Sequence, residues 1–224
     1  MVSDGTTSHA DTVTINVGAS NAAPTIANLS GDSVSYTEGA GAVVIEQGAN
    51  ALVADVDSAN FDTGTLTVSI PSGGDSTEDV LSIRNQGTGA GQIGMSGSNV
   101  TYQGVTIGTF TGGSSGSNLV ITLNSSATPT AVTALVKNIT YENTDTNAPT
   151  TSARTVRYVL TDGDGGTSAN YDTTVTVSGI NDVPVNTVPG TQSTNEDTNL
   201  VFSSGNSNQI SISDVDAGTN PIEV

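Results

Sequence analysis

An all-β fold of β-sandwich type, repeated along the chain, follows from three features of this sequence. Its 224 residues are rich in Thr, Ser, Val and Asn, with 26 Gly and no Cys or Trp, the makeup of short strands joined by tight turns. Short runs such as Val13-Thr14-Ile15-Asn16-Val17 alternate apolar with polar residues, the period of a half-buried strand. Landmarks also recur at nearly one spacing: Asp11 to Asp172 is 161, Pro24 to Pro184 is 160, and Asp55-Val56-Asp57 to Asp214-Val215-Asp216 is 159. Self-similarity of this kind marks a tandem repeat. The seam is Gly179-Ile180-Asn181-Asp182-Val183-Pro184, where an extended run ends, an acidic turn follows and a proline restarts an extended segment.

The spacing divides the chain into three parts. Residues 1–20 read as the last strand and linker of a preceding repeat, 21–182 as one complete module, and 183–224 as the first strands of the next. Within the module the expected strands begin with an edge strand over 25–36, broken near Gly31-Asp32, then 43–45, 52–53 and 65–70, the last closed by Pro71-Ser72-Gly73-Gly74. Short hairpin strands follow at 80–84, 92–95, 100–102, 105–110 and 119–123. One short helix is expected after Thr128, a good N-cap residue, with Pro129 in the first helical position and Val132, Leu135 and Val136 on one face against the core. Strands at 139–141, 155–160 and 171–177 complete the set. That inventory predicts a Greek-key sandwich with one helical turn. A module of this length buries a core of its own, whereas the last stretch of about 40 residues is short for that and is expected to fray or to pair with another chain.

Charge excludes several functions. Twenty-two acidic residues face only Arg84, Lys137, Arg154 and Arg157, for a net −18, a surface that repels nucleic acid and anionic lipid and attracts cations. No apolar run approaches the roughly 20 residues of a membrane span. Met1 is followed by polar residues, and since the chain opens inside a repeat, any export signal is expected upstream. Absence of cysteine leaves the redox compartment open. His9 is expected on a surface loop, and with one histidine no Ser-His-Asp set is possible. Gly89-Ala90-Gly91-Gln92-Ile93-Gly94 spells a dinucleotide fingerprint, but no helix pattern follows it. Asn28, Asn99, Asn124 and Asn138 sit in glycosylation sequons that an Asn/Thr-rich chain produces by chance. Arg154 and Arg157 are expected near one strand face, paired with carboxylates. The chain is therefore not expected to be an enzyme.

Strand alternation sends the loops to two poles. Asp55, Asp57 and Asn60 fall at one pole with Asp162 and Asp164, beside the incoming linker at Asn21. Glu38 falls at the other with Asn143, Asp145 and Asn147, beside Asn181 and Asp182. Asp, Asn and Gly also favour turns for backbone reasons; their recurrence at both linkers argues for more. Gathered carboxylates repel unless protonated or bound to a cation. Calcium takes 6 to 8 oxygens in flexible geometry, magnesium demands stricter order and zinc prefers His or Cys, so Ca²⁺ is the expected ion.

These residues resemble the cadherin-like repeats of giant bacterial surface proteins, in which Ca²⁺ sits between consecutive Ig-like sandwich domains. Thr37-Glu38-Gly39 looks like the family's first-loop glutamate, with Asn195-Glu196-Asp197 its copy. Asp55-Val56-Asp57 with Asn60, and Asp214-Val215-Asp216 with Asn220, are similar to its Asp-x-Asp ligand loop, and Asn181-Asp182 before Pro184 to its linker motif. Gly179 and Ala22 stand where the linker motif carries acids, and one residue is missing before Pro184. The resemblance thus implies one or two ions at the second linker, and a role as an extracellular adhesin or biofilm stalk stiffened by calcium. Two alternatives remain at this stage: a filament subunit pairing with copies of itself through open strands, and a carbohydrate-binding module contacting surface glycans through the loops beside Asn21.

Overall fold

The computed structural model describes residues 2–3, 5, 8–9, 12–15 and 20–218. β1 (Val2–Ser3) pairs antiparallel with β2 (Ser8–His9), so His9 lies on a short strand, not in a loop. Of the strand expected over 11–17, residues 12–15 form no strand and are exposed, while 11, 16 and 17 lie outside the described residues. The expected edge strand is two strands, β3 (Thr25–Ala27) and β4 (Ser33–Thr37), parted at Gly31 and Asp32. Then come β5 (Val43–Val44), β6 (Leu52–Ala54), β7 (Thr65–Ser72), β8 (Asp79–Ile83), β9 (Ile93–Ser96), β10 (Asn99–Tyr102), β11 (Val105–Thr111) and β12 (Leu119–Leu123). The helix α1 (Pro129–Val136), β13 (Ile139–Asn143), β14 (Arg154–Leu160) and β15 (Tyr171–Ser178) complete the main body.

One sheet of eight strands runs β4-β15-β14-β7-β12-β11-β10-β9, and a second of three runs β5-β13-β8. β3 pairs with β6 separately, while β4 joins β15 in parallel, the one parallel pair of the larger sheet. Leu66, Val68, Tyr158 and Val175 of the large sheet share one buried cluster with Leu81 and Tyr141 of the small one. Two β layers therefore close over a common core, and the chain is all-β with a single α-helix among the described residues. The helix forms as its sequence dictates. Thr128 accepts a hydrogen bond from the Ala131 amide at 3.3 Å, and Val132, Leu135 and Val136 are fully buried, each such side chain stabilising by about 1.5–3 kcal/mol.

Pro71 does not end its strand. β7 continues through it because pairing with β14 jumps from Arg157↔Ser69 to Thr155↔Ser72, so Ile70 and Pro71 together oppose Val156. A residue with no N–H is tolerated at such a bulge.

The two strand arginines serve opposite faces. Residues three apart on a strand point opposite ways, so Arg154 is fully buried while Arg157 lies half-exposed beside Asp172 of β15, with hydrogen bonds of 2.8 Å from Nε and Nη2. Arg154 is anchored by Asp79, whose Oδ1 lies 3.1 Å from both Nε and Nη2, and by the Thr150 and Ser152 carbonyls, each 2.5 Å from Nη1. Tyr141 donates to the same Asp79 oxygen at 2.5 Å. Burial, then the Asp79 acceptor, push the Tyr141 phenol far above its ordinary range, so it remains a donor. Replacing Arg154 with Leu strands the carboxylates of Glu78 and Asp79 in the interior. Urea denaturation of Arg154→Leu is expected to show a loss of about 3–5 kcal/mol; a loss below about 1 kcal/mol contradicts the assignment of Arg154 as their counter-charge.

Candidate functional site

At the first linker two of the expected acids, Asp162 and Asp57, bond the incoming chain. The Asn21 side chain donates to Asp162 Oδ2 at 2.9 Å, and the Ala22 amide donates to Asp57 Oδ2 at 2.9 Å. Asp55 Oδ1 accepts from the amides of Asp57 and Ser58, closing the turn on itself, and Asn60 accepts from Asp62 in the same way. Asp162 is fully buried, and its Oδ1 takes the amides of Asp164 and Gly166 at 2.8 and 2.9 Å. Gly166 is required by proximity: a Cβ there would stand 2.1 Å from Asp162 Oδ2 and 2.7 Å from the Ala22 carbonyl. Asp164 contributes its backbone and remains exposed.

The second linker repeats half of this arrangement. Asp214 Oδ1 accepts from the amides of Asp216 and Ala217 at 3.0 Å each, the bonding pattern of Asp55. The Asp182 amide donates to Asp216 Oδ2, matching the bond from Ala22 to Asp57. β16 (Val185–Thr187) pairs with β17 (Ser211–Ser213) as Val185↔Ser213, Asn186↔Ile212 and Thr187↔Ser211, the counterpart of Thr25↔Ala54, Ile26↔Val53 and Ala27↔Leu52. Pairing register and linker bond are thus both duplicated at the spacing read from the sequence. Asn220, the remaining member of that loop, lies outside the described residues.

Glu38 reaches the second linker from the other side. Its amide donates to the Ser178 carbonyl at 2.9 Å, and its Oε2 accepts from the Ile180 amide at 2.7 Å. The residue is 6% exposed, yet Oε1 has no hydrogen-bond partner. Asn181 donates to the Asp182 carbonyl at 2.8 Å. Among the described residues five buried side-chain atoms lack a partner: Glu38 Oε1, Asp55 Oδ2, Asp182 Oδ2, Arg154 Nη2 and Tyr158 Oη. Arg154 Nη2 still lies at ion-pair distance from Asp79. Of the three carboxylate oxygens, Asp182 lies in the second linker, Glu38 bonds Ile180 beside it, and Asp55 lies in the turn whose Asp57 holds Ala22 of the first; each is an atom that ordinarily demands a donor or a cation.

Asn143 and Asp145 serve a different centre. Asn143 is 1% exposed, with Nδ2 donating to Glu78 Oε2 at 2.8 Å and Oδ1 accepting from the Asp145 amide at 2.9 Å. Asp145 Oδ1 accepts from Asn147 and Ala148. Asn143 thus joins the Glu78–Arg154 network, Asp145 closes its own turn, and among the described residues neither side chain bonds the linker. The sequence pattern did not single out Glu78 and Asp79, and it marked Asn21 as the linker position without a role for its side chain. The phase of Arg154 with Val156, Tyr158 and Leu160 is a signal for an inward arginine, and hence for buried acids opposite it.

No group of three or more His, Cys, Asp or Glu side chains among the described residues is placed to hold a metal by itself. Any ion at these linkers must therefore draw on backbone carbonyls, amide oxygens or water as well, which calcium accepts. No family model, curated protein or solved structure matches the chain.

Burial alone pushes the Asp162 carboxyl up, but the donors on Asn21, Asp164, Gly166 and Gly165 outweigh it and hold the group below its ordinary range. A carboxyl depressed in the folded chain contributes stability above its unfolded pKa, near 4, that is lost as pH falls through its folded value. Asp172, held low by the Arg157 hydrogen bond, acts in the same direction. Stability measured from about pH 6 to 2 is expected to fall below about pH 4, and less steeply in Asp162→Asn. Coincident acid limbs for the two proteins contradict the role of this linker bond.

Proposed function

We propose that this chain is a calcium-stiffened structural repeat of a large secreted or cell-surface adhesin or matrix protein, acting as a stalk in cell adhesion or biofilm attachment. Its fold in this reading is a Greek-key, Ig-like sandwich of cadherin type. The splitting of the first strand into β3, paired with β6, and β4, paired in parallel with β15, supports that topology. The observation that carries the functional reading is the set of partnerless carboxylate oxygens on Glu38, Asp55 and Asp182, all in or beside linkers, in a chain of net charge −18.

At the second linker the ion would be held by Glu38 and Asp182, with Asp214, Asp216 and Asn181 completing an oxygen shell. At the first, Asp55 and Asp57 would hold it, with Asn60, Asp162 and Asp164 nearby. The ion supplies positive charge to acids that otherwise repel across a hinge, and so fixes neighbouring modules relative to each other. Extracellular calcium modules bind at roughly 10⁻⁴ to 10⁻³ M, which makes stiffness follow external calcium. Calcium at ten times its dissociation constant adds about 1.4 kcal/mol, or about 3–6 °C in melting temperature. Calorimetry and small-angle scattering with calcium against EGTA are expected to show that rise and a longer, stiffer particle. Glu38→Gln with Asp182→Asn should abolish both differences. Identical melting and scattering with and without calcium reject the reading.

A second reading, assembly with copies of itself, is favoured by exposed apolar side chains at Val13, Ile15, Val183, Val185 and Phe202. Apolar extended segments and the open edges of short strand pairs invite strands from another chain. Light scattering is then expected to show mass rising with concentration; a constant monomer mass removes this reading.

A further inference from the structure

We propose that a cleft at the C-terminal end of α1, walled by β10 and the segment after β8, is a binding site for a carboxylate-bearing sugar unit. The inference stands apart from the calcium linkers and starts from where the few cations go. Four basic residues face 22 acidic ones. Arg154 and Arg157 are consumed by ion pairs with Asp79 and Asp172. Arg84 and Lys137 form no ion pair among the described residues, although acids outnumber them throughout, and both line the same cleft of about 360 Å³. No carboxylate lines it.

The cleft is built rather than incidental. Asn138, 4% exposed, is locked to helix α1 by its Nδ2 bond to the Ala134 carbonyl at 2.7 Å. Its Oδ1 accepts Arg84 Nε at 2.8 Å, and its carbonyl accepts the Arg84 amide at 2.8 Å. A buried asparagine thus holds the guanidinium by one edge and leaves the two terminal nitrogens without a partner among the described residues. Lys137 caps α1, where a cation is favoured by the helix dipole. Tyr102, half-buried against the core, supplies an aromatic wall. Gln86 uses its Oε1 on the Ile93 amide, which leaves its side-chain NH₂ free to donate.

This donor set selects its ligand. A guanidinium fork and an ammonium recognise a carboxylate, a single aromatic wall suits the apolar face of a sugar ring, and the Gln86 and Thr130 side chains suit ring hydroxyls. The room available lies within the range of small-molecule sites. A short hexuronic-acid oligosaccharide meets these demands, and a neutral hexose oligosaccharide of equal length does not.

The test is an amide-resolved NMR titration of the full chain with a hexuronate trisaccharide, in EDTA so that no metal bridges acid to acid. Shifts are expected at 84–86, 102 and 137–138. A neutral hexose trisaccharide and the double variant Arg84→Gln, Lys137→Gln should each weaken binding by at least about tenfold, one lost charge-assisted contact. Tyr102→Leu separates ring stacking from charge and should also weaken the saccharide, while leaving any response to inorganic sulfate unchanged. Equal binding of the neutral sugar, binding unchanged in the double variant, sulfate competing at the affinity of the uronate, or no shifts at millimolar probe each overturn the proposal.

Discussion

A carboxylate oxygen taken out of water has to find a donor or a cation, and this chain applies that requirement differently in its core and at its ends. In the core it is met within the protein. Glu78 and Asp79 sit opposite Arg154, and Tyr141, Thr150 and the Asp75 amide supply further donors to their oxygens. At the linkers no cationic side chain is available, since the only four lie elsewhere. Backbone amides take one oxygen of Glu38 and one of Asp55, and three oxygens are left over on Glu38, Asp55 and Asp182.

This division separates the Arg154 network from the linkers. A network closed by an arginine is permanent, and its removal costs stability without offering control. A network completed from solution answers to the concentration of whatever completes it. The duplicated register of β3–β6 and β16–β17, with the duplicated bond from linker amide to Asp57 or Asp216, sets the same half-filled arrangement at two points of the chain.

Much of this was legible in the sequence, because strand formation and the repeat are written in local pattern. Period-two alternation marked β7, β8, β12, β14 and β15, and the Thr128-Pro129 pair marked the helix start. Pro71 misled, since its cost depends on whether its own strand bulges against the facing one, which only tertiary pairing decides. Arg154 and Arg157 were placed near one face although their odd separation puts them on two. The acids were harder. Asp57 and Asp162 bond the incoming linker, while Asp55 bonds only its own turn; Asn143 turns inward to Glu78, a partner 65 residues away in the chain, and Asp145 bonds its own turn. Asn21 marks the incoming linker in the sequence, but an uncharged amide gives no sign that its side chain holds the Asp162 oxygen.

The most direct test of the central claim is an experimental structure of the chain at millimolar calcium. The account predicts a cation coordinated by Glu38 Oε1 and Asp182 Oδ2, at roughly the 2.3–2.6 Å of calcium–oxygen bonds. Both oxygens bonded instead to water or to protein donors, with no ion within reach, would contradict it.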